Sequence, residues 1–296
     1  MGLPARRGAG VSELVKAFLL VIVGLSADAE HGDLFKKWGG VMATAARNVG
    51  TPPDRIIQLS DQPARTDVEG AFASIAKKAA ADDVVFVVLI GHGSFDGKVA
   101  KFNLRGPDMT AADFSAQLKK LPAQRVVFVN TTSSSGPFAQ ELASPGRTIV
   151  TATRNGAEQY DTLFPGFFVD AFNSETADAD KNRRVTLQEA FDYAQREVAR
   201  TYEKEGLLAT EHSVLDDGGK LASAFALGTA GMGELPLDPK LRALYIARRE
   251  AEQRVEALKV LKGSMEPARY EAELEKAVTA LALRSREIRQ IEGPKK

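Results

Sequence analysis

The sequence contains no cysteine among its 296 residues. This absence excludes disulfides, zinc sites built on thiolates and enzymes that use a cysteine nucleophile. Histidine is also scarce, because His31, His92 and His212 are the only three in the chain. A metal centre made of several histidines is therefore not expected.

Net charge is absent as well, because 39 lysines and arginines balance 39 aspartates and glutamates. Without a basic excess or stripe, we expect no nucleic-acid-binding surface. No apolar run reaches the about 18 residues that are needed to cross a bilayer. We therefore expect a soluble protein with no membrane partner, located in the cytoplasm or in a periplasmic or secreted compartment.

The N-terminus has two interpretations. Residues 17–25 follow the basic pair Arg6 and Arg7 and precede small residues, which is the order of a secretory signal peptide. The same apolar residues are also typical of a buried β-strand. We favour the strand because a helical pattern follows it directly, and we expect residues 1–16 to be disordered.

Two apolar runs dominate what the sequence does contain. One run, Val84–Ile90, ends just before His92, and the other, Arg125–Asn130, ends just before the serines 133–135. Unbroken runs of β-branched and aromatic residues predict strands buried on both faces, as in a parallel sheet. Because functional groups in such sheets lie beyond the carboxyl ends of the strands, we expect His92 to face the serines across a crevice.

Further strands and helices alternate along residues 17–236. This alternation predicts βαβ units and hence one three-layer α/β domain with a mostly parallel sheet. A nucleophilic hydrolase needs a nucleophile, a base and amide donors for an oxyanion. Ser133 or Ser134 is the candidate nucleophile, His92 the candidate base, and the backbone near Gly93 the candidate oxyanion donor. No aspartate or glutamate is evident from the sequence as a third member.

The order of these motifs resembles that of the caspase-like cysteine peptidases, which include legumain and the metacaspases. The segment Gly91-His92-Gly93-Ser94 is similar to the His-Gly-Ser segment of legumain. The loop 131–136, with sequence TTSSSG, is similar to the metacaspase loop Asp-Ser-Cys-His-Ser-Gly. The same loop is also similar to the legumain segment Ala-Cys-Glu-Ser-Gly. Both loop alignments place the family's cysteine on Ser133, whereas a looser caspase alignment places it on Ser134. The resemblance implies a caspase-like fold and a peptide substrate or peptide partner in the crevice.

Three interpretations of the site remain open, because a serine hydroxyl needs stronger activation than a thiol. The favoured one is a catalytically degenerate peptidase-fold protein that binds peptides or proteins. The second is a serine-nucleophile hydrolase that uses Ser133 or Ser134 with His92. The third is an unrelated α/β protein in which His92 only caps a loop.

A second candidate site lies in residues 178–189, which match the twelve-residue calcium loop of EF-hand proteins. The ligand positions of that loop are occupied by Asp178, Asp180, Asn182, Arg184 through its carbonyl, Thr186 and Glu189. Arg183 stands where the loop usually has glycine, which costs on the order of 1 kcal/mol. We expect weakly bound structural calcium, and the alternative is a polar loop with an acidic helix cap.

The composition changes to long polar helices over residues 237–296. Apolar residues recur at heptad spacing on both sides of Gly263 and Ser264. This pattern predicts an antiparallel helical hairpin of the coiled-coil type. Such a hairpin either packs on itself or on the domain, or serves as an arm for homodimerisation or docking.

Overall fold

The computed structural model describes residues 17–182, 184–228 and 265–292, together with scattered positions between 238 and 258. The chain divides into two compact units, Met1–Gly231 and Met232–Lys296. The predicted disordered segment 1–16 lies outside the described residues.

The first unit is built on a six-stranded mixed sheet that is mostly parallel. The described strands are β1 (Ala17–Val23), β2 (Ile56–Leu59), β3 (Val84–Ile90), β4 (Gly93–Phe95), β5 (Ala100–Phe102), β6 (Met109–Thr110), β7 (Arg125–Asn130), β8 (Arg147–Thr151), β9 (Val185–Thr186), β10 (Val214–Asp216) and β11 (Ala226–Gly228). The order in the large sheet is β10-β8-β7-β3-β1-β2, and only β10 runs antiparallel to its neighbour. The strand interpretation of the N-terminal apolar run is therefore confirmed, because β1 pairs on both sides.

Helices cover both faces of this sheet. The described helices are α1 (Ala29–Asn48), α2 (Arg65–Lys78), α3 (Ala111–Leu118), α4 (Gly136–Leu142), α5 (Phe164–Ala171), α6 (Leu187–Glu205) and α7 (Pro267–Glu292). Buried side chains of α1, α5 and α6 pack against one face, and those of α2, α3 and α4 pack against the other. The predicted three-layer architecture is confirmed. None of the helices within the described residues is long and apolar enough to span a membrane.

Alternating side chains explain why the central strands are apolar at every position. In β1, Leu19 and Val21 enter one core cluster, whereas Phe18 and Leu20 enter the other. All seven residues of β3 are buried for the same reason. A strand that is covered on both faces has no solvent side on which a polar residue is favoured.

A small antiparallel sheet follows β3 directly, as the turn signal at Asp96 and Gly97 predicts. Strands β4, β5 and β6 pair in that order. Gly97 has a φ of +91°, and the Asp96 carboxylate accepts the amides of Lys98 and Val99 at 3.1 and 2.9 Å. This sheet fixes the direction in which the chain leaves His92.

The C-terminal unit contains α7, which confirms the second helix of the predicted hairpin. Many residues of the first helix lie outside the described residues. Within the described part, Val255 and Leu258 belong to one apolar cluster with Tyr270 and Ala277. The coiled-coil hairpin and its role as a homodimerisation or docking arm stay predictions.

Candidate active site

The loops after β3 and β7 meet at the carboxyl edge of the sheet. These strands are parallel neighbours, and Leu89 lies opposite Asn130. The amide and the hydroxyl of Thr131 both donate to the Leu89 carbonyl, at 3.1 and 2.8 Å. This junction holds the two loops together, so that His92 and Ser133 line the same cleft.

Ser133 and Gly93 are held in direct contact. The Ser133 hydroxyl donates to the Gly93 carbonyl at 3.2 Å, and the Gly93 amide lies 3.4 Å from the same hydroxyl oxygen. A Cβ at position 93 would collide with the backbone carbonyl oxygen of Ser133. Only glycine permits this approach, which places a backbone amide beside the candidate nucleophile.

The His92 imidazole is oriented by a carboxylate. Its Nδ1 lies 3.1 Å from Asp161 Oδ1. Its Nε2 is buried and has no hydrogen-bond partner among the described residues. The Ser133 hydroxyl is therefore bonded to a backbone carbonyl and not to the candidate base.

Asp161 is an acidic residue beside His92 that the sequence alone did not make evident. It lies in the irregular segment between β8 and α5, where no periodic pattern marks it. Its side chain is 67% exposed, so the contact with the imidazole is open to solvent on one side. The sequence offers no local signal for this pairing, because the two residues lie 69 positions apart (161 − 92).

A second histidine completes the cluster. His31 lies in the first turn of α1 and also borders the cleft. Its Nε2 is 3.8 Å from Asp161 Oδ2, and its ring centroid is 5.4 Å from that of His92. Its Nδ1 is 2.8 Å from Asp28, and this hydrogen bond raises the pKa of His31. The His31 amide in turn donates to Asp28 and lowers the pKa of that carboxyl.

These groups border a cleft of about 630 Å³ between α1 and the start of α5. That volume lies within the range of about 300–1,000 Å³ that is typical of ligand pockets in proteins. His31, His92, Ser133 and Asp161 line the cleft together with apolar side chains of α1 and α5. The cleft is the natural place for a ligand to contact the candidate residues.

Residues 66–215, half of the chain, match the family model described as the Peptidase C13 family. The chain belongs to the peptidase C13 family. This is the legumain family of the caspase-like clan, so the predicted resemblance and the predicted caspase-like fold are confirmed. The matched residues include His92, Ser133 and Asp161.

A comparison with solved structures finds a similar protein from Geobacter sulfurreducens. The two chains are 13% identical, with a TM-score of 0.46, and the alignment covers 72% of this chain and 94% of the other. No curated protein sequence matches this chain.

Ser134, the other candidate nucleophile of this C13 member, differs from Ser133 in its position. Ser134 has a φ of +55°, and its amide donates to the Glu158 carbonyl at 2.8 Å. Its hydroxyl is buried without a hydrogen-bond partner among the described residues, and Ser134 does not line the cleft. The structure thus brings Ser133, and not Ser134, to the cleft with His92.

The segment that carries Asp161 is fixed by two buried or half-buried carboxylates and a hydroxyl. Glu211 accepts the amides of Leu163 and Phe164 at 2.7 and 3.1 Å, and burial raises the pKa of this carboxyl. Thr162 donates to the Thr131 carbonyl at 2.8 Å. Glu158 accepts from the amide of His212 at 3.1 Å and pairs with its ring. These bonds tie the Asp161 segment to the serine loop.

The predicted calcium loop brings three carboxylates together. One oxygen each of Asp178, Asp180 and Glu189 lies within 4.8 Å of the others. The Asn182 amide lies 3.0 Å from a carboxylate oxygen of Asp178 and of Asp180. The Ala179 amide donates to Glu189 Oε1 at 3.0 Å, which draws this carboxylate over the start of the loop.

The same loop also has the features of the alternative interpretation. Thr186 and Glu189 form a capping box at the start of α6, with the Glu189 amide 3.2 Å from the Thr186 hydroxyl. The Arg184 amide donates to the Asn182 side chain at 2.7 Å. Lys181 has a φ of +57°, and Arg183, where strain was predicted, lies outside the described residues.

Proposed function

We propose that this chain is a catalytically inactive member of the peptidase C13 family whose cleft binds peptide segments of other proteins. The observation that carries the proposal is the hydrogen bond of the Ser133 hydroxyl to the Gly93 carbonyl, while His92 Nε2 has no partner among the described residues. A serine attacks only when a base accepts its proton, and this coupling is not made. The cleft of about 630 Å³ that His92 and Ser133 line supports the binding of a peptide segment.

The alternative function is a serine hydrolase. Asp161 supports it, because a carboxylate on Nδ1 leaves Nε2 as the basic nitrogen of the imidazole. In this case Ser133 rotates away from Gly93 when a substrate enters, and the Gly93 amide stabilises the oxyanion.

A fluorophosphonate probe distinguishes the two functions, because it labels only activated serines. We expect no labelling of the intact protein and the same result for Ser133→Ala. Labelling of the wild type that disappears in Ser133→Ala would establish the hydrolase. Binding is measured by fluorescence polarisation with a labelled peptide mixture, and Ser133→Ala is expected to bind as tightly as the wild type.

Restoring the family's thiol tests whether His92 reaches position 133. The chain has no other cysteine, so thiol labelling of Ser133→Cys reports on that position alone. An imidazolium nearby would stabilise a thiolate and speed its alkylation. Because position 133 faces the Gly93 carbonyl and not His92, we expect iodoacetamide to alkylate Ser133→Cys and Ser133→Cys/His92→Ala at similar rates at neutral pH. Alkylation at least tenfold faster with His92 present would establish a dyad and favour the hydrolase.

We also propose that the loop 178–189 binds calcium in a structural role. The convergence of Asp178, Asp180 and Glu189 supports this proposal, because Ca²⁺ prefers carboxylate and carbonyl oxygens. Titration calorimetry of the intact protein should show calcium binding that Asp178→Ala abolishes. Asp192→Asn, on the exposed face of α6, is the matched control and should bind as the wild type does. No heat of binding in the wild type would leave the capping box as the role of this loop.

A further inference from the structure

The wall of the cleft beyond His92 is apolar. Leu34, Trp38 and Val41 line it from α1, and Leu163 and Phe167 line it from the start of α5. The three α1 residues follow the i, i+4, i+7 spacing of one helix stripe. Leu34 and Leu163 remain 37% and 38% exposed at the rim. Apolar side chains exposed along a cleft carry a binding function more often than isolated ones do.

A glycine on α5 makes room for the tryptophan. A Cβ at Gly166 would lie 3.1 Å from Cζ2 of Trp38, which is tighter than an ordinary contact. With glycine at this position, the indole lies against α5 and still lines the cleft. The result is a flat aromatic surface on the inside of the cleft.

This apolar wall is continuous with the candidate centre. The Phe35 ring lies 5.2 Å from the His92 ring and 5.7 Å from the Trp38 ring. Phe35 therefore connects His92 to the Trp38 surface, and all three side chains line the same cleft as Ser133.

The charged residues that line the cleft offer no suitable partner to a charged side chain of a ligand at this wall. Asp161 is paired with His92, and Asp170 accepts the Tyr193 hydroxyl at 3.0 Å. Among the described lining residues there is no arginine, and Lys37 is exposed. A carboxylate that entered the apolar part would lose its hydration without gaining a bidentate partner.

We propose that this wall is a subsite for one large aliphatic or aromatic side chain of the bound peptide. The inference rests on the proposed peptide-binding function and adds the class of residue that is recognised. Burying a leucine or phenylalanine side chain removes enough apolar surface from water to tighten binding about tenfold or more.

Capped hexapeptides that differ at one residue test the subsite on the intact protein. Phenylalanine, leucine, asparagine, aspartate and lysine are compared at that residue by titration calorimetry. Trp38 is the single tryptophan of the chain, so its emission reports occupancy of the wall directly. We expect the phenylalanine and leucine peptides to bind at least tenfold tighter than the other three and to shift the Trp38 emission.

Two variants test whether the preference for apolar peptides depends on the cleft or on another part of the surface. Leu34→Asp/Leu163→Asp places charge on the rim at partly exposed positions and should remove the preference for apolar peptides. Leu208→Asp, at a leucine that is 91% exposed and outside the cleft, is the matched control and should keep it.

The outcomes distinguish this inference from the proposed function. Peptide binding with no preference for the apolar residue would overturn the subsite and leave the peptide-binding function standing. If no hexapeptide binds but N-acetylphenylalaninamide shifts the Trp38 emission, the subsite stands and the peptide-binding function fails. If neither the hexapeptides nor this small probe binds, the subsite is overturned.

Discussion

At the scale of single residues, the site is a row of alternating carboxylates and imidazoles. Asp28 contacts His31, and Asp161 lies between His31 and His92. Each imidazole thus has one carboxylate within 3.1 Å. A proton on the His31 ring is stabilised by the Asp28 carboxylate, so the protonation of His31 depends on that carboxylate.

The first prediction concerns the pKa of His31. Its hydrogen bond to Asp28 raises this pKa above the ordinary 6.5. Asp28→Asn removes the negative charge, so we expect the pKa to fall toward that value in an NMR titration of the His31 ring. Asp33→Asn, on the same turn of α1, is the control and should leave the pKa unchanged.

The sign of the linked stability change follows from the direction of the shift. A histidine whose folded pKa is raised contributes stability below the unfolded value, and the contribution is lost as the pH rises through the folded value. Melting temperatures of the wild type should therefore fall relative to Asp28→Asn as the pH rises above 6.5. Parallel curves for the two proteins would contradict this coupling.

Glu211 gives the second prediction. It is buried, and it accepts two backbone amides at the start of α5. In Glu211→Gln one amide faces an NH₂ group, so we expect a loss of about 1–3 kcal/mol in the free energy of unfolding. Denaturant unfolding measures this loss, and Glu203→Gln, near the end of α6, is the control that should change little.

The pH dependence of this loss is a second test of Glu211. Burial raises the pKa of the folded carboxyl above 4.5, so the folded state holds the proton over a window in which the unfolded state has released it. The contribution of Glu211 to the free energy of unfolding of the wild type therefore falls as the pH rises through that window. The difference in the free energy of unfolding between wild type and Glu211→Gln should therefore become smaller as the pH rises. A difference that does not change with pH would mean that the pKa of the Glu211 carboxyl is the same in the folded and unfolded states.

At the scale of elements, helix caps set where the chain enters and leaves the sheet. Thr110 begins α3, and its hydroxyl lies 3.1 Å from the Asp113 amide. Asp113 in turn pairs with Arg65 at the start of α2. One cap therefore links two helices of the same layer.

The third prediction follows from this cap. Thr110→Ala leaves an amide of α3 without its acceptor, so we expect a loss of about 1 kcal/mol in the free energy of unfolding. Thr44→Ala is the matched control, because Thr44 is exposed within α1 and caps nothing. Urea unfolding of both variants provides the measurement, and equal stabilities would contradict the role of the cap.

Elements with strong local signals could be predicted from the sequence. The apolar runs of β1, β3 and β7 lie where the patterns place them. Asp161 could not be predicted, because an irregular segment carries it to His92. The path of that segment depends on Glu211 and Thr162, which act through contacts distant in sequence.

At the scale of the whole molecule, burial is distributed very unevenly. The strand β3 is buried at every residue and pairs with a strand on each side. In α7, by contrast, Tyr270, Ala277 and Ile288 are buried among the described residues, whereas Val278 and Leu283 are 46% and 53% exposed. Regions with few buried apolar side chains open at a lower free energy than the core does.

The last prediction is that hydrogen exchange follows this distribution. Amides of β1, β3 and β7 should exchange only when the whole first unit unfolds, because each strand is covered on both faces. Amides of α7 should exchange at least tenfold sooner, because opening this helix exposes little apolar surface. Mass spectrometry of peptides from the intact protein measures both rates. If α7 exchanged as slowly as β3, a second copy or another partner would have to cover its exposed side chains, as the predicted homodimerisation arm requires.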